Sequence, residues 1–187
     1  MIRYSIQDNA TPALWRKARA LGARGTKVMG AAQARIVKGH LSNRNQQPNK
    51  HGWKKTNYYG DAAKSVNWKS DPTSCDVHVS KEGFRVRVEG TGHLPGGVIR
   101  PINFKYLAIP IAEEAYGQRA REVPGLRLGI VHWDGRTTKG LVDALGNGMF
   151  ALIRSARQSG DRTVMPSDDE LIGASLGAID KLAHKTS

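Results

Sequence analysis

Cysteine is nearly absent. One residue of 187, Cys75, is a cysteine, which excludes an internal disulfide framework and a multi-cysteine zinc site and fits a reducing, cytosolic compartment. Long apolar runs are absent too. No stretch approaches the roughly 18 residues of a membrane span, or the shorter apolar core of a signal peptide, so no membrane partner is expected. Aromatic residues make up only 6% of the chain. The most informative absence is of negative charge. No acidic residue lies between Asp8 and Asp61, and that stretch holds eleven basic ones: Arg16, Lys17, Arg19, Arg24, Lys27, Arg35, Lys38, Arg44, Lys50, Lys54 and Lys55. Most of the formal net charge of +13 therefore sits in under a third of the chain. Charge of one sign over such a length points to a surface meeting a polyanion or an acidic neighbour.

What remains is ordinary globular material. Hydrophobic residues form 39% of the chain and the mean hydropathy is −0.48, enough for a core under a polar surface. The length suits one domain, residues 1–187, and 21 glycines argue for turns and close backbone approaches rather than a plain helical bundle.

Met1–Gln7 alternates apolar and polar residues and predicts a short strand. From Pro12 to Leu41 the period becomes helical. Leu14, Ala18, Leu21, Gly25, Val28, Ala32 and Ile36 form one stripe, and Arg16, Lys17, Arg24, Lys27, Arg35 and Lys38 lie roughly opposite. This is a long amphipathic helix of about 45 Å, with its glycines marking residues 22–25 as a place to kink or break. Residues 42–56 have no period and read as a projecting basic loop carrying Trp53. Asn57–Lys69 reads as a helix. Cys75–Val79 and Phe84–Val88 both alternate around Lys81-Glu82-Gly83 and predict a β-hairpin.

A glycine-rich loop follows from Gly90 to Gly97. Tyr106–Ile111, Leu126–Trp133 and Gly148–Ala156 read as strands, Ala112–Ala120 as a short helix or turn, and Gly135–Gly146 stays unassigned. Ser167 and Glu170 form a capping box opening a C-terminal helix with Asp168 and Asp169 in its first turn. The sum is an α+β domain, a long N-terminal helix and a C-terminal helix packed on a mostly antiparallel central sheet.

No catalytic, cofactor or metal constellation emerges, and the chain is expected not to be an enzyme. The six histidines lack metal-ligand spacing, and HExxH and Cys-x-x-Cys motifs are missing. His132-Trp133-Asp134 lies in a strand whose neighbours face opposite sides, so it is no triad. Glu113 and Glu114 have no partner in view. The glycines around Gly92 and Gly96 lack the Lys-Ser/Thr of a phosphate loop. The basic residues, without interleaved stacking aromatics, suit phosphate contact rather than base reading.

Gly96–Gly117, GGVIRPINFKYLAIPIAEEAYG, resembles the hallmark segment of virion-morphogenesis proteins of tailed bacteriophages, the tail-completion and minor tail proteins. The step from Pro48 to Gly52-Trp53 is similar to that family's PdGxxW loop. Met149–Ala183 resembles its ending of strand, proline and C-terminal helix, with Ser155–Pro166 longer and more polar than usual. The resemblance spans about residues 10–185 and implies a structural virion component, without cofactor or metal.

Such a protein forms a ring, commonly six-fold, at the head–tail joint around the DNA channel. Its partners are itself, the tail tube or terminator, the head connector and DNA. The virion, and the host cytoplasm during assembly, are the places implied. Arg16, Lys17, Arg24, Lys27, Arg35, Lys38, Arg44, Lys50, Lys54 and Lys55 would then face the lumen and its DNA. Trp53, Gly96, Gly97, Val98, Ile99 and Arg100 would contact a neighbouring subunit. A tail terminator or head-closure protein of the same neck, and a free sequence-independent DNA-binding protein, are the alternatives.

Overall fold

The computed structural model describes residues 2–4, 21–48 and 51–186. The chain is α+β, with helices and antiparallel sheets. It divides into two compact units rather than forming one continuous core: residues 1–47, 57–88 and 161–187 make the first, and residues 48–56 and 89–160 the second. The strands are likewise shared between two sheets instead of one central sheet.

The first unit contains β1 (Ile2–Tyr4), α1 (Ala23–Gln46), α2 (Tyr58–Lys64), β2 (Val66–Ser70), β3 (Cys75–Val79), α3 (Phe84–Glu89, all but its last residue) and α4 (Asp168–Thr186). Its sheet has the order β1-β3-β2, all antiparallel, with Ile2 opposite Val79 on one side and Val66 opposite Val79 on the other.

Helix α1 starts directly after Gly22, whose φ of 57° is left-handed. It runs five residues past the expected end at Leu41, so residues 42–46 are helical and not loop. Residues 12–20 of the predicted helix lie outside the described residues. The buried face of α1 is also rotated from the expected stripe. It holds Gly25, Thr26, Met29, Gly30, Gln33, Ala34, Val37 and Leu41; of the expected stripe Gly25 is buried, whereas Val28, Ala32 and Ile36 are only half-buried. The reason is that α1 packs on two partners. Gly30 meets β2 so closely that an added Cβ would lie 2.7 Å from Trp68 Cε3. On another side, Gln33 Nε2 donates to Ser175 Oγ of α4 at 3.0 Å. Ser175 Oγ in turn donates to Leu171 O at 2.8 Å, so this buried polar pair is satisfied on both sides.

Two expectations fail here. The helix expected over Asn57–Lys69 ends at Lys64, and Val66–Ser70 is strand β2, with Val66 buried against the core. The hairpin expected from Cys75–Val79 and Phe84–Val88 does not form, because both edges of β3 are taken by β1 and β2. Residues 84–89 form α3 instead. Phe84 and Val88, four apart, are both buried, while Val86 between them is not. An i, i+2, i+4 pattern contains the i, i+4 pattern of a helix, so alternation over five residues could not decide.

The expected C-terminal helix is present as α4. Glu170 N–H donates to Ser167 Oγ at 3.3 Å, and Ser167 N–H donates to Glu170 Oε2 at 2.8 Å. That is the reciprocal capping box.

The second unit contains β4 (Leu107–Pro110), β5 (Arg127–Trp133), β6 (Arg136–Val142) and β7 (Gly148–Ile153) in the order β4-β7-β6-β5, again antiparallel. The previously unassigned stretch supplies β6. Its first four residues, Arg136–Lys139, are polar, but Asp134 (φ 51°) and Gly135 (φ 67°) form a two-residue turn of left-handed backbone, the geometry that closes a tight hairpin. Phe150 and Met149 pack with Ala115 on one side, and Val131, Val142 and Ala151 cluster separately.

Candidate functional site

The helix α1 carries the basic residues in a definite arrangement. Arg24, Lys27, Arg35 and Lys38 are all exposed. At about 100° per residue they fall within an arc of about 80°, and they span about 21 Å along the axis. This arc lies opposite the buried face of Thr26, Gln33 and Val37. No acidic residue occurs anywhere in α1, so the helix supplies no carboxylate to neutralise them. The face is widened by α4. Arg35, Lys181 and Lys185 line one groove whose floor is made of Val28, Ala32 and Ala178. In the sequence Lys181 and Lys185 read only as cations near the end of the C-terminal helix, and the pairing of α1 with α4 brings them to the same groove as Arg35.

The other predicted cations are placed differently. Arg44 is half-buried, and its Nη2 donates to Asp161 Oδ2 at 2.7 Å. Asp161 is held below the ordinary carboxylate range, first by hydrogen bonds from Thr163 and also by the Arg44 charge. Arg44 thus forms an ion pair within the first unit. Lys81 is similarly paired with Asp61 at 3.0 Å, and Arg87 lies over the Tyr58 ring at 4.8 Å. Lys54 and Lys55 are exposed, with Lys54 N–H donating to Glu113 Oε1 at 2.9 Å. Arg16, Lys17 and Lys50 lie outside the described residues.

The residues expected at a subunit contact are largely engaged within their own unit. Trp53 is half-buried, stacked on His51 at 4.6 Å and edge-on to Tyr116 at 5.4 Å. The loop over residues 90–100 is fastened rather than free. Buried Thr91 donates from Oγ1 to Gly97 O at 2.8 Å and from its N–H to Gln158 O at 2.9 Å. Ile99 and Ala156 exchange two backbone hydrogen bonds of 2.8 and 3.0 Å. Gly96 and Gly97 hold the turn with φ of 70° and 66°, Val98 and Ile99 are half-buried, and Arg100 is exposed.

The apolar surface lies elsewhere. Leu128 and Ile130 of β5 are 76% and 71% exposed, and Ile102 and Phe104 are 96% and 76% exposed. The strand pattern around Leu128 and Ile130 was legible, but which of its two faces is covered was not.

Among the described residues no group of three histidine, cysteine or carboxylate side chains is placed to hold a metal ion. Among the same residues no helix is long and apolar enough to cross a membrane. The Cys75 thiol is pushed up to about 11, first by burial and then by the charges of Asp76 and Asp71, the opposite of an activated nucleophile. Compared with known proteins, the chain matches no family model, no curated protein and no solved structure.

Proposed function

We propose that the chain is a structural, non-enzymatic component of a tailed-phage virion: a tail-completion or neck protein that forms a ring at the head–tail joint around the DNA channel. One observation carries this reading: the acid-free face of Arg24, Lys27, Arg35 and Lys38 on one exposed side of α1. A row of cations about 21 Å long faces the phosphates of about six base pairs at 3.4 Å each, which suits passing DNA that needs positioning without base reading. The sequence resemblance of Gly96–Gly117 and Met149–Ala183 to virion-morphogenesis proteins supports the virion setting. The exposed Leu128 and Ile130 support contact with further protein. A terminator or head-closure protein of the same neck shares these features.

The test is the mass of the purified protein by size exclusion with light scattering, at low and high salt, with duplex DNA and with tail tubes. The neck reading expects a salt-resistant multimer, or a monomer that forms one on tail tubes. A monomer that only shifts onto DNA at low salt and releases at high salt would instead establish a free DNA-binding protein, the reading that the same cationic face would then serve.

A further inference from the structure

The four-stranded sheet of the second unit has two open edges among the described residues, β4 and β5. We infer that these edges join head to tail, β5 of one copy pairing antiparallel with β4 of the next; the inference rests on the ring reading and names its joint.

Strand polarity is the first argument. Every pair in β4-β7-β6-β5 is antiparallel, so the two outer strands run in opposite directions. A second copy brought alongside without being turned over therefore lays its β4 antiparallel to β5. The two edges are different surfaces, so the contact is heterologous and repeats from copy to copy, as a ring requires.

The backbone of β5 is open in the right places. Trp133 and Arg136 flank the two-residue turn, so they form a hydrogen-bonded pair, and bonding to β6 recurs at every second residue. Arg127, Gly129 and Val131 thus bond inward, while Leu128, Ile130 and His132 turn their N–H and C=O groups outward. The side chains of those three residues are exposed, as is that of Arg127. An edge with free backbone groups and apolar side chains is a template for another strand.

On β4, Ile111 N–H donates to Met149 O at 3.0 Å, which sets the parity: Leu107 and Ile109 bond toward β7, and Ala108 and Pro110 face outward. Pro110 sits where its missing N–H costs the sheet no internal bond, but it leaves the edge one donor short.

The register follows from the sheet itself. Leu128 pairs with Leu141, Leu141 with Phe150 and Phe150 with Pro110, so Leu128 and Pro110 end one cross-sheet row. Continuing that row places Leu128 against Pro110 of the next copy, and Ile130 against the small, exposed Ala108. A bulky residue then stands opposite a small one.

Thiol trapping tests the joint. On a Cys75→Ser background, Ala108→Cys and Ile130→Cys are made singly and together, oxidised, and run on a non-reducing gel beside light scattering of the same samples. The two positions lie three strand spacings apart in one chain, about 14 Å, so no disulfide forms within a chain.

The expected result is a ladder of covalent multimers from the double variant, and none from either single variant. Cross-linked dimers from Ile130→Cys alone would show a two-fold β5–β5 contact and overturn the inference. An intact multimer that the double variant fails to trap would overturn it too, with the ring reading left standing. A protein that stays monomeric even with tail tubes would remove the ring reading and the joint with it. As a second readout, Leu128→Lys with Ile130→Lys is expected to dissociate the multimer while the thermal midpoint holds, since both side chains are exposed; a multimer that persists would count against the joint.

Discussion

Replacing Arg35 and Lys38 together with glutamine should change how DNA binding responds to salt more than it changes the fold. Both side chains are exposed on α1 and neither is buried against the core. Each phosphate neutralised by a cation contributes about −0.9 to the slope of log K against log salt on duplex DNA. On the proposed reading the four cations Arg24, Lys27, Arg35 and Lys38 would together supply a slope of about −3.6, a loss of about 150-fold in affinity between 50 and 200 mM salt. The double variant should bring that share to about −1.8, or about 12-fold over the same range. Any further basic residues add equally to both proteins, so the difference of about 1.8 is the quantity to read.

The assay is fluorescence anisotropy with a labelled duplex of arbitrary sequence, titrated at four or five salt concentrations, on parent and variant. Arg44→Gln is the control. Its guanidinium is bound to Asp161, so it should lower stability and leave the slope unchanged. A double variant with the parental slope, or an Arg44→Gln slope that falls by about 0.9, would refute the assignment of the α1 face as the phosphate contact.

Four other outcomes follow from the packing and the hydrogen bonds. Ser175→Ala leaves the buried Gln33 amide without its acceptor and should cost about 1–3 kcal/mol, read as a lower denaturant midpoint at unchanged slope. Ser167→Ala removes one arm of the α4 capping box and should cost about 1 kcal/mol, read the same way. Asp71, Asp143, Asp161 and Glu170 are all held below their ordinary values by hydrogen bonds, from Ser74 and Thr73, from Asn147, from Thr163 and from Ser167 respectively. Folded values below unfolded ones give stability that is present above the ordinary values of 3.8 and 4.5 and is lost as the pH falls through and below them. A thermal midpoint that rose on acidification through that window would contradict this. The Cys75 thiol, pushed up to about 11 by burial, should react with iodoacetamide at pH 8 far more slowly folded than unfolded; equal rates would place it at the surface.

The sequence by itself determined the elements whose signals are local. The Ser167–Glu170 box and its acidic first turn are side-chain chemistry within one helical turn, so α4 was readable from its start. The glycines at 22–25 marked a place to kink or break within a helix expected from Pro12, and α1 starts there at Ala23. Alternation over Cys75–Val79 located one strand, and the apolar stretches within Leu126–Trp133 and Gly148–Ala156 located two more. The absence of acid between Asp8 and Asp61 located the cationic face.

Only the tertiary structure decided the rest. Phe84–Glu89 is helical because β3 had no free edge to offer, a fact set by Ile2–Tyr4, some 80 residues earlier in the chain. Arg136–Val142, polar over its first four residues, is a strand because β5 and β7 pair with it on either side. The buried face of α1 turned toward Thr26 and Gln33 because β2 and α4 pack there, and Gln33 could be buried only because Ser175 satisfies it. The basic residues show the same division. Arg24, Lys27, Arg35, Lys38 and Arg44 look alike along the chain, and the position of Asp161 makes one of them structural and leaves the other four facing solvent. Charge and period are carried by neighbouring residues, whereas edge occupancy and ion pairing depend on what distant segments bring alongside.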